Sequence, residues 1–154
     1  MHWDEFSDWG AKISQWAADY HKNLRNRPVR AQTEPGDVAA LIAQSAPEGP
    51  QSMEEIMADF ERVVMPGMTH WQHPRFFAYF PANAAPPSML AEMLVSTIAA
   101  QCMLWQTSPA ATEMETVMLD WLRQAIGLPE KFSGVIQDSA SSATLAAVLT
   151  MRER

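Results

Sequence analysis

A short apolar run that passes through small hydroxylated residues straight into a helical pattern constrains this chain more than any other feature. The stretch is Gly134-Val-Ile-Gln-Asp-Ser-Ala-Ser-Ser-Ala-Thr144, and its residues Val135 to Gln137 are expected to form a strand. At a helix start the first N–H groups lack internal partners and the macrodipole is positive. Small side chains there let an anion approach the backbone, so Ser139 to Ser142 reads as a phosphate cup. A cluster of this composition also serves as a plain N-cap, and the cup needs support from elsewhere in the chain.

That support comes from the run His70-Trp-Gln-His-Pro-Arg-Phe-Phe-Ala-Tyr-Phe-Pro81, which holds Trp71, Phe76, Phe77, Tyr79 and Phe80. It is too irregular for a strand and too proline-bounded for a helix, so it is expected to be a loop that lines a pocket. His70 and His73 lack a cysteine or carboxylate at ligand spacing, so the pattern predicts no metal site and gives them the task of positioning this loop.

Net charge of −7 and a pI near 5.0 argue against nucleic acid or an anionic membrane as partner. With one cysteine, Cys102, no internal disulfide forms, and no run of 18 apolar residues is present. A cytoplasmic setting is the expectation. Cys102 is expected to be a buried small hydrophobe in an apolar helix.

Trp3, Phe6, Trp9, Ile13, Trp16, Tyr20 and Leu24 recur at intervals of three and four, one face of a long helix that ends before Pro28. Each aromatic buries roughly 150–250 Å², so three tryptophans on one terminal helix suggest packing against a partner subunit. A short helix is expected over Asp37 to Gln44. Ser52-Met-Glu-Glu55 has the form of a capping box opening a helix that Pro66-Gly67 ends. Ser88 to about Leu104 is apolar nearly all round, the mark of a buried or interfacial helix. Ser108-Pro109 opens a further helix, closed at Gly127-Leu-Pro129, with Glu113 near its start complementing the dipole. The last helical pattern still runs at Arg154, so the chain is expected to be the front part of a larger protein.

Together, His73-Pro-Arg-Phe-Phe-Ala-Tyr-Phe-Pro81, Met89-Leu-Ala-Glu-Met-Leu94, Ser108 to Met118 with Asp120-Trp-Leu122, and Gly134 to Ser141 resemble the pyridoxal-phosphate-dependent group II amino-acid decarboxylases, in their aromatic-L-amino-acid branch. The resemblance spans essentially the whole chain and is loosest between Arg25 and Gln51. It implies an α/β, fold type I, aminotransferase-like enzyme of which this chain is the mostly helical N-terminal third. Residues 1–83 would be a dimer-embracing helical segment with the pocket loop, and 84–154 the beginning of the large cofactor domain.

The resemblance further implies pyridoxal 5'-phosphate as cofactor and a homodimer with exchanged N-terminal helices. By position, Ala140 and Ser141 would bind the cofactor phosphate, through backbone N–H groups and the Ser141 hydroxyl. Trp71, Tyr79, Phe80, Pro81 and Ala82 would be walls of the substrate pocket, with Gln101 and Met103 contributed across the interface. The residues that do the chemistry, including the lysine that binds the cofactor covalently, would lie in the remaining C-terminal part. Lys12, Lys22 and Lys131 fall outside every matching motif. Asp138 stands where the family commonly has glycine, Ala82 where animal members have threonine, and Gln101 and Met103 replace an aliphatic and an aromatic wall. The expected reaction is decarboxylation of an aromatic L-amino acid to amine and carbon dioxide. Action on a non-aromatic amino acid, oxidative decarboxylation to an aldehyde, and a non-catalytic assembly module remain alternatives.

Overall fold

The computed structural model describes residues 1–80, 82 and 84–153, and the chain divides into two compact units, Met1–Ala85 and Pro86–Arg154. Each unit is helical, and no strand occurs among the described residues.

In the first unit, helix α1 spans Trp3–Asn23 and runs on as a 3-10 turn, Leu24–Asn26, as its stripe and Pro28 predict. The stripe divides along its length. Trp16 meets Tyr20 at 5.4 Å and Phe60 at 5.2 Å between ring centroids, and its indole N–H donates to Glu61. Leu24 is buried with Val63 and Met65 in a small core. Trp3, in contrast, is 77% exposed, and Trp9 carries the Lys12 ammonium over its ring at 4.0 Å. The C-terminal half of the helix therefore packs within its own unit, while the N-terminal half leaves Trp3 exposed and reaches its unit through Lys12, 4.0 Å from Glu54.

The short helix α2 covers Asp37–Leu41 and stops before Gln44, because Ile42 takes an extended conformation. Gly67 lies close against it: a Cβ there would stand 2.8 Å from Val38 Cγ2. Helix α3, Met53–Asp59, opens with the expected reciprocal cap, Glu55 N–H to Ser52 Oγ at 3.2 Å and Ser52 N–H to Glu55 Oε2 at 2.9 Å. Pro66 has no N–H to continue the ladder, and the turns around it change pitch. Phe60–Val64 widens to a π turn, with Met65 N–H reaching back to Phe60, and Met65–Gly67 tightens to a 3-10 turn.

The second unit holds α4 (Pro86–Ile98), α5 (Pro109–Ala125) and α6 (Ala140–Arg152). Three expectations are corrected here. Helix α4 ends at Ile98 rather than near Leu104, because Ala99 takes a left-handed conformation, φ 48°. Cys102 consequently lies outside any helix and is exposed, not buried. Val135 to Gln137 form no strand, since strand hydrogen bonds need a neighbouring strand and the described residues supply none. The segment is held instead by Ile136 N–H donating to Glu115 Oε1 at 2.8 Å.

Helix α5 begins at Pro109 and closes with Gly127 at φ 74°, as its signals predict, although the Ser108 side chain makes no capping bond. Glu113 sits beyond the first turn and accepts from Trp105 Nε1 at 2.9 Å instead of complementing the dipole. No described residue of this unit is buried, so its apolar helix faces find no core among themselves.

Candidate functional site

Two separate pieces of the chain carry the candidate chemistry, one in each unit. In the first, the segment after Met65–Gly67 is anchored by two histidines. His70 is 4% exposed and His73 is 3% exposed. His70 N–H donates to Val29 O at 2.9 Å, and its ring Nδ1 meets the Tyr20 hydroxyl at 2.8 Å. Burial holds the His70 imidazole below its ordinary pKa, with the Arg27 guanidinium and His73 adding to the effect. Burial also raises the Tyr20 phenol, against the pull of Arg27. Both groups are thereby kept neutral, and the phenol and Nδ1 share one hydrogen bond.

His73 is fixed by its backbone partners. Its Nδ1 accepts from Arg75 N–H at 3.0 Å, so its Nε2 carries the hydrogen that points at Arg25 O, 3.3 Å away. These bonds run from the loop to helix α1 and the turn after it. They give the histidines the positioning task expected of them.

Beyond this anchor the rings gather around Trp71. Its centroid lies 5.0 Å from Phe76, 5.6 Å from Tyr79 in a stacked pair, and 5.3 Å from Phe80. These residues line an open cavity of about 750 Å³, with Ala82, Ala84 and Ala85 on its wall. Four of the predicted wall residues, Trp71, Tyr79, Phe80 and Ala82, are thus brought together, and Pro81 lies outside the described residues. Tyr79 has φ 54°, a left-handed conformation that a bulky side chain takes only under constraint. It is nevertheless 89% exposed. Sequence reasoning missed Tyr20. Its register on the α1 stripe marked it as apolar packing, and nothing local shows that its hydroxyl finds a histidine fifty residues on.

In the second unit, Ser139 is the N-cap of α6, its Oγ accepting from Ser142 N–H at 3.2 Å. Ala143 N–H donates to Ser139 O at 3.0 Å. The amides of Ala140 and Ser141 find no acceptor among the described residues, and both residues are exposed. Two amides at the positive end of a helix, with a free hydroxyl on Ser141, are the donor set a phosphate monoester requires. Gln101 and Met103 lie in the irregular segment between α4 and α5, both exposed. No group of three metal-binding side chains occurs among the described residues.

Residues 35–154 match the pyridoxal-dependent decarboxylase conserved domain. The aromatic-L-amino-acid decarboxylase of Rattus norvegicus is 46% identical over 97% of this chain and 33% of its own length. A crystal structure of Catharanthus roseus tryptophan decarboxylase in complex with L-tryptophan superposes with TM-score 0.93 at 36% identity, covering 100% of this chain and 33% of that one. Rhodiola rosea 4-hydroxyphenylacetaldehyde synthase gives TM-score 0.81 at 36% identity, over 86% of this chain and 28% of its own. The chain therefore spans about a third of the length of the relatives it matches. A domain match over most of the chain, together with relatives of over 40% identity along its length, leads to one assignment: the chain belongs to the pyridoxal-dependent decarboxylase family.

Proposed function

We propose that the chain is the N-terminal third of a pyridoxal 5'-phosphate-dependent decarboxylase of fold type I, acting on aromatic L-amino acids to give the amine and carbon dioxide. The observation that carries this reading is the pair of amides at Ala140 and Ser141 that find no acceptor among the described residues, at the positions where the family resemblance calls for phosphate binders. These amides and the Ser141 hydroxyl would hold the phosphate, the helix dipole adding to the attraction. Asp138 is left out of this set, because a carboxylate repels the anion. Bound there, pyridoxal 5'-phosphate supplies the electron sink that lets a Cα–carboxylate bond break.

The chain's own residues would do the holding. Trp71, Tyr79 and Phe80 offer ring faces to an aromatic side chain and exclude water from around it. Ala82 lies on the same cavity and offers the substrate no hydroxyl, and by the family resemblance Pro81 would belong with it. Gln101 and Met103 would reach the pocket of a second copy, in a homodimer whose α1 helices embrace the opposite subunit. The exposed Trp3 supports that exchange. Lys12, Lys22 and Lys131 are exposed and lie outside the cavity and the α6 start, so the covalent lysine would come from the C-terminal remainder. In this reading 1–83 forms the embracing segment and 84–154 begins the cofactor domain.

The similarity to an aldehyde synthase favours a second outcome on the same scaffold, oxidative decarboxylation. Product analysis of the intact protein with L-tryptophan and L-tyrosine separates the two. Amine with carbon dioxide is expected. Aldehyde with ammonia and peroxide would replace the first reading by the second, and no turnover of either amino acid would remove the aromatic assignment.

A further inference from the structure

Between Ile98, where α4 ends, and Pro109, where α5 begins, the chain makes a loop that is apolar and open to solvent yet closely tied. Met103 is 72% exposed, and Leu104 and Trp105 are exposed as well. A segment of this kind with no core of its own would spread over many conformers, each residue gaining about 1–2 kcal/mol of backbone entropy. Side-chain bonds within the unit oppose that. Trp105 Nε1 donates to Glu113 Oε1 at 2.9 Å, fixing the loop to α5. Thr107 Oγ1 lies 2.7 Å from Gln101 O and 2.9 Å from Leu104 O, while Thr107 N–H and Ser108 N–H also converge on Leu104 O at 3.2 and 3.3 Å.

These ties differ in what they hold. The bonds to Leu104 O close a turn that the backbone amides would close without help. The bond to Gln101 O is different, for among the described residues the Thr107 hydroxyl is the partner that this carbonyl has from across the loop. The side-chain amide of Gln101 reaches only its own neighbourhood, Ala99 O at 3.3 Å. A hydroxyl has one hydrogen, here facing both carbonyls, and the shorter of the two contacts is the one to Gln101. Thr107 thus sets the loop's width at the residues Gln101 and Met103.

We propose that Thr107 is a positioning residue for substrate selection, its hydroxyl holding the loop so that Gln101 and Met103 meet the substrate ring in one register. The inference rests on the reading above, in which those two side chains are pocket walls. Thr107 touches no substrate itself and acts through the loop backbone.

The test uses the intact holoenzyme with Thr107→Val, which keeps the shape and removes the hydroxyl, and Thr107→Ser, which keeps the hydroxyl. Steady-state constants are measured on L-phenylalanine, L-tyrosine and L-tryptophan, with cofactor content read from absorbance. Thr107→Val should raise KM for the preferred ring and compress the spread of kcat/KM across the series about fivefold, the equivalent of one lost hydrogen bond. Its kcat should stay within about twofold, since the chemistry is untouched. Thr107→Ser should restore the spread. If the valine variant keeps the spread and KM, or the serine variant behaves like valine, the proposal is overturned. Should the valine variant lose cofactor, Thr107→Ala carries the same comparison. Gln101→Ala and Met103→Ala separate the two levels. If they shift the spread and Thr107→Val does not, only this inference falls; if they leave it unmoved, the pocket assignment falls with it.

Discussion

Replacing Tyr20 by phenylalanine tests whether helix α1 holds the aromatic loop through a single hydroxyl. The substitution keeps the ring that stacks on Trp16 at 5.4 Å and removes only the hydroxyl that bonds to His70 Nδ1 at 2.8 Å. His70 is 4% exposed, so its Nδ1 is left without that partner in a place that water reaches poorly. A buried polar group stripped of its partner costs about 1–3 kcal/mol, and the half-buried phenol puts the expectation at the lower end, ~1–1.5 kcal/mol. With a urea slope of about 2 kcal/mol per molar, the unfolding midpoint should fall by roughly 0.5–0.8 M. Tryptophan fluorescence of the intact protein reports it, since Trp16 and Trp71 both belong to the first unit. His70→Phe should cost a similar amount by orphaning the phenol, and the double variant should cost less than the sum by at least ~0.5 kcal/mol. Additive losses, or a midpoint shift below about 0.2 M for Tyr20→Phe, would refute the tether.

The remaining expectations follow from other groups. Because the folded His70 imidazole sits below its ordinary pKa, the unfolded chain takes up a proton first as pH falls below about 6.5. Stability present above that value should decline toward the depressed folded pKa, and a pH series of urea midpoints in the His70→Phe variant should lose that part of the slope. Ser141→Ala should weaken retention of pyridoxal 5'-phosphate by ~1–3 kcal/mol, read by equilibrium dialysis, and unchanged retention would remove Ser141 from the phosphate set. Ser52→Ala removes the Oγ that accepts from Glu55 N–H, leaves the Ser52 N–H to Glu55 Oε2 half of the cap in place, and should lower stability by ~0.5–2 kcal/mol in the same urea assay. Trp71→Ala removes the ring on which Phe76, Tyr79 and Phe80 converge, and should raise KM for an aromatic substrate at least tenfold, with a smaller effect on kcat.

Features written over three or four residues were legible from the chain alone. The α1 stripe from Trp3, the Ser52 and Glu55 cap and the Gly127 stop all depend on neighbours within one turn, so their geometry is local. The hydroxylated run of Ser139 to Ser142 likewise specified a capped helix start, and its free amides at Ala140 and Ser141 follow from helix geometry itself. The irregular, proline-interrupted aromatic run specified a loop, because neither repeat of 3.6 nor of 2 fits it.

Tertiary structure decided what depends on partners distant in sequence. Val135 to Gln137 have the composition of a strand but meet no partner strand among the described residues, and a strand exists only where another offers its ladder. Helix α4 stops at Ala99, against an apolar pattern that would carry it further, and that early stop exposes Cys102 and creates the loop that Thr107 ties. The convergence of Tyr20 on His70 and of Arg25 O on His73 joins residues nearly fifty positions apart. Periodicity carries no information about such pairs, because closing a chain of that length is set by packing and burial rather than by any local preference.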